Sequence, residues 1–326
     1  MLEVKDRIHL RVQEAIQRHV FPGCVVGVLS RGEKVIFPYG HFTYDTNAHR
    51  VREDSVYDLA SITKSIPVAA LALQCIADER LSLTDKIKNY IPELQNDFDA
   101  TIEDVLRYRV QGPRLSQLNL RTFEEIRTSI FEAGFNGPPG SGEYSNVPAY
   151  LLGVILERIG GRSLPALSHD AFFGPLNMKN TTFFPARSDC VPTELDATGS
   201  EICGIVHDES ARVFARARCA VGHAGLFSTA PDLLECAEAL LRNRLPAVVE
   251  GAESGLGWAI QCPWFMGTKV SPNAFGKTGF TGTSIVVDRS LDRALVILSN
   301  RTYPKRPPDQ TAINSFRADI ANMVFK

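Results

Sequence analysis

The chain lacks the cysteine pattern of a metal cage or a disulfide scaffold. Its seven cysteines, at positions 24, 75, 190, 203, 219, 236 and 262, are odd in number and scattered, and none stands in a Cys-x-x-Cys pair. Buried free thiols in a reducing compartment are the expectation. A long basic run is also missing: Lys+Arg number 35 against Asp+Glu 37, for a net charge of −2, so nucleic acid is not an expected partner. The opening MLEVKDRIHLRVQEAI alternates charged and apolar residues and has no apolar h-region, which excludes a signal peptide. The most apolar stretch, Ile66 to Leu73, is far too short to span a bilayer. A cytoplasmic protein is therefore expected as encoded, and a periplasmic or secreted one only for a form trimmed of its export signal. No repeat, low-complexity tract or linker interrupts the chain. With 326 residues, 44% apolar and 22% charged, it can bury a large core as one domain or two interlocked lobes.

What is present divides into ends and middle. Val4, Ile8, Val12, Ala15 and Ile16 trace one face of a helix over roughly 3–19, ended by Phe21-Pro22-Gly23. Residues 24–30 (CVVGVLS) and 34–39 (KVIFPY) read as a hairpin across Arg31-Gly32-Glu33. Near the other end, 283–288 (TSIVVD) and 294–299 (ALVILS) are two more strands. Ile313, Phe316, Ile320 and Met323 then mark a closing helix. These ends can share one antiparallel sheet under the two terminal helices. The middle repeats helical patterns at about 60–79, 101–109, 122–133, 147–159, 164–173 and 231–242. Thr101 with Asp104, and Thr229 with Asp232, read as helix caps. The expected architecture is α/β, in α+β two-lobe form: an α/β lobe of 1–58 plus 245–326, and an inserted, mostly helical lobe of 59–244.

Near the C-terminus, AFGKTGFTGT ends like a phosphate-binding loop. The P-loop spacing, however, requires glycine where Ser271 stands, and a β-branched strand follows where a helix is needed. Lys277-Thr278-Gly279 therefore asks for another role. Upstream, Ser61-Ile62-Thr63-Lys64 is Ser-x-x-Lys at the start of a helical pattern, which places the Lys64 amine within reach of the Ser61 oxygen. A serine hydroxyl is a weak nucleophile until an adjacent base takes its proton. A lysine serves only if burial or a neighbouring cation brings its pKa down from about 10.4. Alone, the pattern equally suits a serine cap beside a solvated lysine, but Lys64 lies between Ile62 and the run from Ile66 to Leu71, so the segment is expected to be buried. Tyr144-Ser145-Asn146 follows a Gly/Pro-rich loop and precedes a helix. It offers a phenol and an amide to a cleft, or merely a half-buried ring and a helix cap.

In the order Ser-x-x-Lys, Tyr-x-Asn, Lys-Thr-Gly, the three motifs resemble the β-lactamase-related serine hydrolases, the group holding class C β-lactamases, D-alanyl-D-alanine carboxypeptidases and several esterases. The resemblance runs through FPGCVVGVL (21–29), VYDLASITKS (56–65), LSLTDKI (81–87), PPGSGEYSNVPAYLLGVILERIGG (138–161), VHDESAR (206–212), GHAGLFSTAPDLL (222–234) and GLGW (255–258). It implies a single β-lactamase/transpeptidase-like domain over 1–326. In that family Ser61 would be acylated, Lys64 would be its base partner and Tyr144 the general acid/base. Asn146 would orient Lys64 and the substrate. Lys277 would lower the pKa of Lys64 or Tyr144 and help bind a carboxylate, with Thr278 and Gly279 lining the substrate. The oxyanion hole would combine the N–H groups of Ser61 and Phe280. The Tyr-x-Asn form is similar to the class C branch. No cofactor or metal is implied, and the partner is a small-molecule or peptide substrate. The implied function is hydrolysis, through an acyl-enzyme, of a β-lactam, a D-Ala-D-Ala-type peptide or an ester. The alternatives are an esterase or transacylase without β-lactam activity, and a penicillin-binding sensor that acylates without turnover.

Two departures stand out. Relatives often carry His-Thr-Ser-Gly-Leu where this chain has Tyr108-Arg109-Val110-Gln111-Gly112-Pro113-Arg114-Leu115, so the cleft wall is expected to differ there. Pro67 is expected to bend the nucleophile helix downstream of Lys64. His223 is read as structural, His207-Asp208 as loop packing rather than a metal pair, and Trp258 and Trp264 as core before cleft wall.

Overall fold

A computed structural model describes residues 2–117, 121–140, 144–186 and 190–326. Among these residues one six-stranded antiparallel sheet runs in the order β2-β1-β8-β7-β6-β5, and a two-stranded pair joins β3 to β4. The strands are β1 (Gly23–Ser30), β2 (Glu33–Gly40), β3 (Tyr57–Asp58), β4 (Phe227–Ser228), β5 (Ala259–Ile260), β6 (Phe275–Thr278), β7 (Ser284–Asp288) and β8 (Arg293–Ser299).

The β1–β2 hairpin closes on Arg31 and Gly32, both at positive φ (51° and 83°), the conformation of a two-residue turn that matches strand twist. Strand β1 is apolar on both faces because both are covered. Val25 and Leu29 belong to the large core that includes the helix Ala230–Leu241, whereas Cys24, Val26 and Val28 pack under the terminal helices Leu2–Gln17 and Thr311–Val324. Ile8, Val12, Ile313, Phe316 and Ile320 fill that second core, on the residues whose spacing marked the two helices. Cys24, Cys75, Cys219, Cys236 and Cys262 are free thiols.

The middle is helical: Ile102–Leu106, Phe123–Ala133, Val147–Gly160, Leu164–Ser168 and Ala230–Leu241 fall within or beside the expected spans. The Thr101–Asp104 capping box forms in both directions, and Thr229 accepts from the Asp232 N–H. One span needs correction. Residues 60–79 form no continuous helix: a 3₁₀ turn at Ala60–Lys64 is followed by a bend and then by the helix Ala70–Ala77. The break falls at Ile66 (φ −117°, ψ 112°), because the ring of Pro67 disfavours helical geometry in the residue before it. The segment Ala60–Ala77 is long and apolar enough on composition to cross a membrane, but 78% of it is buried inside the protein, as befits a core element. The helices Glu209–Arg216 and Pro246–Glu253 are further elements that the sequence pattern did not announce.

Candidate active site

Ser61 sits in the 3₁₀ turn directly after β3. In such a turn residues three apart eclipse, which stacks Lys64 over Ser61. The Lys64 amine contacts the Ser61 hydroxyl oxygen at 2.8 Å and donates to the His223 carbonyl at 2.7 Å. Lys64 is 1% exposed, and burial brings its pKa down to about 7, against the opposing pull of the Asp208 carboxylate. A neutral amine so placed gives one N–H to His223 and keeps its lone pair for the serine proton.

The turn is held under strain. Ala60, immediately before Ser61, has φ 46°, a left-handed conformation that costs a non-glycine residue about 1–2 kcal/mol. The Asp58 carboxylate fixes it by accepting the Ala60 N–H at 2.7 Å and the His207 N–H at 2.7 Å. Burial pushes the Asp58 carboxyl up to about 6.

Lys277 reaches the site from β6. Gly279 carries the chain close: a Cβ there would fall 2.3 Å from the Leu59 carbonyl oxygen, so the approach requires glycine. Thr281 and Thr283 donate to the Asp58 and Leu59 carbonyls at 2.7 and 3.1 Å, stitching the turn after β6 to the turn that carries Ser61. Behind it, the fully buried Arg317 donates to the Gly279 and Thr283 carbonyls at 2.9 and 2.7 Å, and Arg301 donates to the Phe280 carbonyl at 2.8 Å. Among the described residues no acceptor takes the Phe280 N–H, as an oxyanion donor requires.

The Lys277 amine donates to the Tyr108 hydroxyl at 3.2 Å and lies 4.4 and 5.4 Å from the Tyr108 and Tyr144 ring centres. Burial lowers Lys277 to about 8, with Tyr144 pulling it back up and the charge of Lys64 pushing it further down. Tyr144 is 54% exposed, and its hydroxyl lies on the Ser61 side of the cleft. Burial of that hydroxyl pushes its pKa up, and the Lys277 charge and the neighbouring Ser61 pull it back. The Lys64 amine lies 5.1 Å from the same ring centre. Ser61, Lys64, Tyr144 and Lys277 thus converge.

Asn146 lines the same cleft, but its amide donates to Asp208 at 3.2 Å, so any effect on Lys64 passes through that carboxylate. Asp208 also accepts from Ser210 at 2.6 Å and from the Ala211 N–H at 2.9 Å, and faces His223 Nε2 at 3.3 Å. Burial would raise it, yet the His223 contact and these bonds hold its carboxyl well below the usual range. His223 touches the site through its backbone: its carbonyl accepts from the Lys64 amine. Asp208, read from sequence as packing, faces the reacting groups, and Tyr108 supplies the acceptor for Lys277. His207 is a buried ring lowered to about 4 by burial and the Arg306 charge, 5.7 Å from the Phe280 ring and nearly parallel to it. No metal-binding cluster exists among the described residues.

Ser61 opens onto two cavities. One, of about 420 Å³, is lined by Asn146, His207, Asp208, Glu209 and Arg306; the other, of about 480 Å³, by Tyr108, Trp258, Trp264, Phe265 and Lys277. Trp264 is therefore cleft wall (49% exposed), and Trp258 is buried but borders the same space. Thr278 lines the aromatic cavity, and Gly279 acts by letting two turns meet.

The fold is that of β-lactamases and related esterases. Over 99% of this chain and 98% of the other, it superposes on EstCE1, a hydrolase with promiscuous acyltransferase activity, with a TM-score of 0.78 at 19% identity. A β-lactamase/D-alanine carboxypeptidase from Pseudomonas syringae gives 0.76 at 18% identity over the same shares. The Beta-lactamase family pattern matches residues 9–318. In sequence, the chain is 28% identical to a protein of Escherichia coli K12 named "Putative D-alanyl-D-alanine carboxypeptidase", covering 81% of this chain and 73% of that one. It is 27% identical to a Salmonella typhi protein of the same name, covering 78% and 72%. The chain belongs to the β-lactamase family, and is a serine hydrolase of that kind.

Proposed function

We propose that Ser61 takes an acyl group from an ester or amide and passes it to water. The observation that carries this reading is the buried Lys64 amine, 2.8 Å from the Ser61 oxygen and lowered to about 7, so that a free base is present at neutral pH. Tyr144, beside Ser61, hands the proton to the leaving group, and the N–H groups of Ser61 and Phe280 receive the oxyanion. This division of labour is that of the class C-like branch.

The substrate that fits best is an ester with an uncharged aromatic or extended apolar group. The aromatic cavity supports this, together with the engagement of Lys277 by the Tyr108 hydroxyl and two rings, which leaves its ammonium partly occupied. A peptide ending in a D-amino acid is the second reading. It is favoured by the lysine itself, a cation beside the nucleophile, and by the names of the bacterial relatives.

The test is incubation with p-nitrophenyl esters, an N-acyl-D-Ala-D-Ala peptide and a penicillin, following turnover and weighing the intact protein. Ester turnover, with an acyl adduct that disappears in Ser61→Ala, is the expected result. Turnover of the peptide alone shifts the assignment to the second reading. Full activity of Ser61→Ala toward every substrate overturns both.

A further inference from the structure

A third cavity, of about 310 Å³, shares no lining residue with the two at Ser61. It is at the small end of the ~300–1,000 Å³ range of ligand pockets. Its walls are the rings of Phe123, Phe131 and Phe214, and its polar groups are Arg127, Tyr150 and Glu157.

Those three groups are underused. Tyr150 is 2% exposed, yet its hydroxyl has no hydrogen-bond partner among the described residues. Burial holds the phenol well up, so it stays an O–H donor, with Arg127 and Glu157 acting on it by charge alone. Glu157 gives one oxygen to the Leu164 N–H at 2.7 Å, and its other oxygen takes no bond among the described residues. Arg127 lies over the Phe123 ring at 5.8 Å and has no ion pair among the described residues, whereas the neighbouring Arg158 is bound to Glu93. The Tyr150 hydroxyl is not sealed in the core but faces the open space of the cavity, where an acceptor on a ligand can reach it.

The cavity also touches the loop that fixes Lys64. Gly222 lines it and packs so closely on the helix Val147–Gly160 that a Cβ would fall 2.1 Å from the Ala149 carbonyl oxygen. The next residue, His223, gives its carbonyl to the Lys64 amine, and the Tyr150 ring lies 6.2 Å from the His223 ring.

The geometry points to this cavity as an effector site for a small zwitterion with an aromatic side chain, an aromatic α-amino acid. Its ring lies among the phenylalanines, its carboxylate meets Arg127 and the Tyr150 hydroxyl, and its ammonium meets the open oxygen of Glu157. Occupancy braces Tyr150 and Gly222, steadies the His223 carbonyl against Lys64, and raises kcat without changing KM. Because the effect falls on kcat and not on substrate binding, no reciprocal change in effector affinity is required, and a rise of about fivefold is expected.

The test uses calorimetry with L- and D-phenylalanine, alongside phenethylamine and phenylacetate, which each lack one charge. It needs no turnover, so its outcome is separate from the assignment of the reaction. Phenylalanine is expected to bind at least tenfold tighter than either control. Binding should weaken at least tenfold in Arg127→Ala and in Tyr150→Phe, and should vanish in Val154→Trp, which fills the cavity. A parallel assay on whichever substrate is turned over should show kcat rising at saturating phenylalanine. The inference is overturned if the controls bind as tightly, if Val154→Trp still binds phenylalanine, or if bound phenylalanine leaves kcat unchanged. It is overturned equally if no binding heat is seen with the wild-type protein.

Discussion

On one side of Ser61 the cleft wall consists of hydrogen-bonding groups, Asn146, Asp208, His207 and Arg306; on the other it consists of rings, those of Tyr108, Trp258 and Trp264. A buried lysine belongs to each side. Lys64 is held by a hydroxyl oxygen and a carbonyl and feels a carboxylate, while Lys277 is held by a phenol and two ring faces. Burial lowers both, to about 7 and about 8. The difference teaches that desolvation alone poises an amine near neutrality, and that its surroundings decide its use. Beside an oxygen nucleophile and an anion it is poised to accept a proton. Between rings it keeps its proton and tunes the phenol at its side.

The largest expected effect comes from removing the base. Lys64→Met should lower turnover by roughly 10⁴-fold or more in a steady-state assay, as loss of one member of a catalytic unit does. It should also raise the melting temperature, since an amine whose folded-state pKa lies below its unfolded value binds fewer protons folded than unfolded and so opposes folding at pH 7. A fall in Tm would contradict the burial argument. Next is Tyr144→Phe, which leaves the ring between the flanks and removes the proton carrier. A loss of about 10²–10⁴ in kcat is expected.

The polar flank is probed by Asp208→Asn. Its carboxylate pulls Lys64 upward, so neutralising it should move the acid limb of the rate profile below the wild-type value near pH 7. In the wild-type protein, activity should rise as pH passes about 7, where Lys64 becomes free base. It should fall as pH passes about 8, where Lys277 loses its charge; the two steps belong to the coupled pair. An acid limb unmoved by Asp208→Asn would separate that carboxylate from the base.

The aromatic flank is probed by Trp264→Ala. This should raise KM for a naphthyl ester about tenfold, on the scale of a ring that is half buried, and leave a short acetyl ester unaffected. The smallest effect is Tyr108→Phe. It takes away the acceptor of Lys277 and should shift the alkaline limb with only a few-fold change in kcat.

The residues that were legible in the sequence share one property: their relation is local. Ser61 and Lys64 lie one turn apart, Tyr144 and Asn146 two residues apart, and Lys277 heads a triplet. Four strands of the sheet, β1, β2, β7 and β8, and the terminal helices were legible too, because period-2 and period-3.6 apolar patterns mark covered surfaces, whereas β5 and β6 were not. Asp208 was not legible, because its neighbour Asn146 is 62 positions away and a single carboxylate has no period. Neither was the role of His223, which acts through a backbone atom that every residue type possesses. The helix Glu209–Arg216 was missed because eight residues with only two large apolar side chains, Val213 and Phe214, are too short to show a period, whereas the bend expected from Pro67 is present, at Ile66. Tyr108 lay in a stretch flagged only as a departure.

Strand β1, from the first tenth of the chain, pairs with β8, from the last: Cys24 lies opposite Ser299 and Ser30 opposite Arg293. The sheet that carries Lys277 to Ser61 therefore joins β1 only after every residue between the two strands has been synthesised. Arg317, which grips the Gly279–Thr283 turn, arrives later still. Pairing across such a span is slow, because a long loop closes before any contact rewards it. On the ribosome, Ser61 and Lys64 thus emerge long before the strands and the arginine that press the Gly279–Thr283 turn against them, and the cleft closes only as those distant segments arrive.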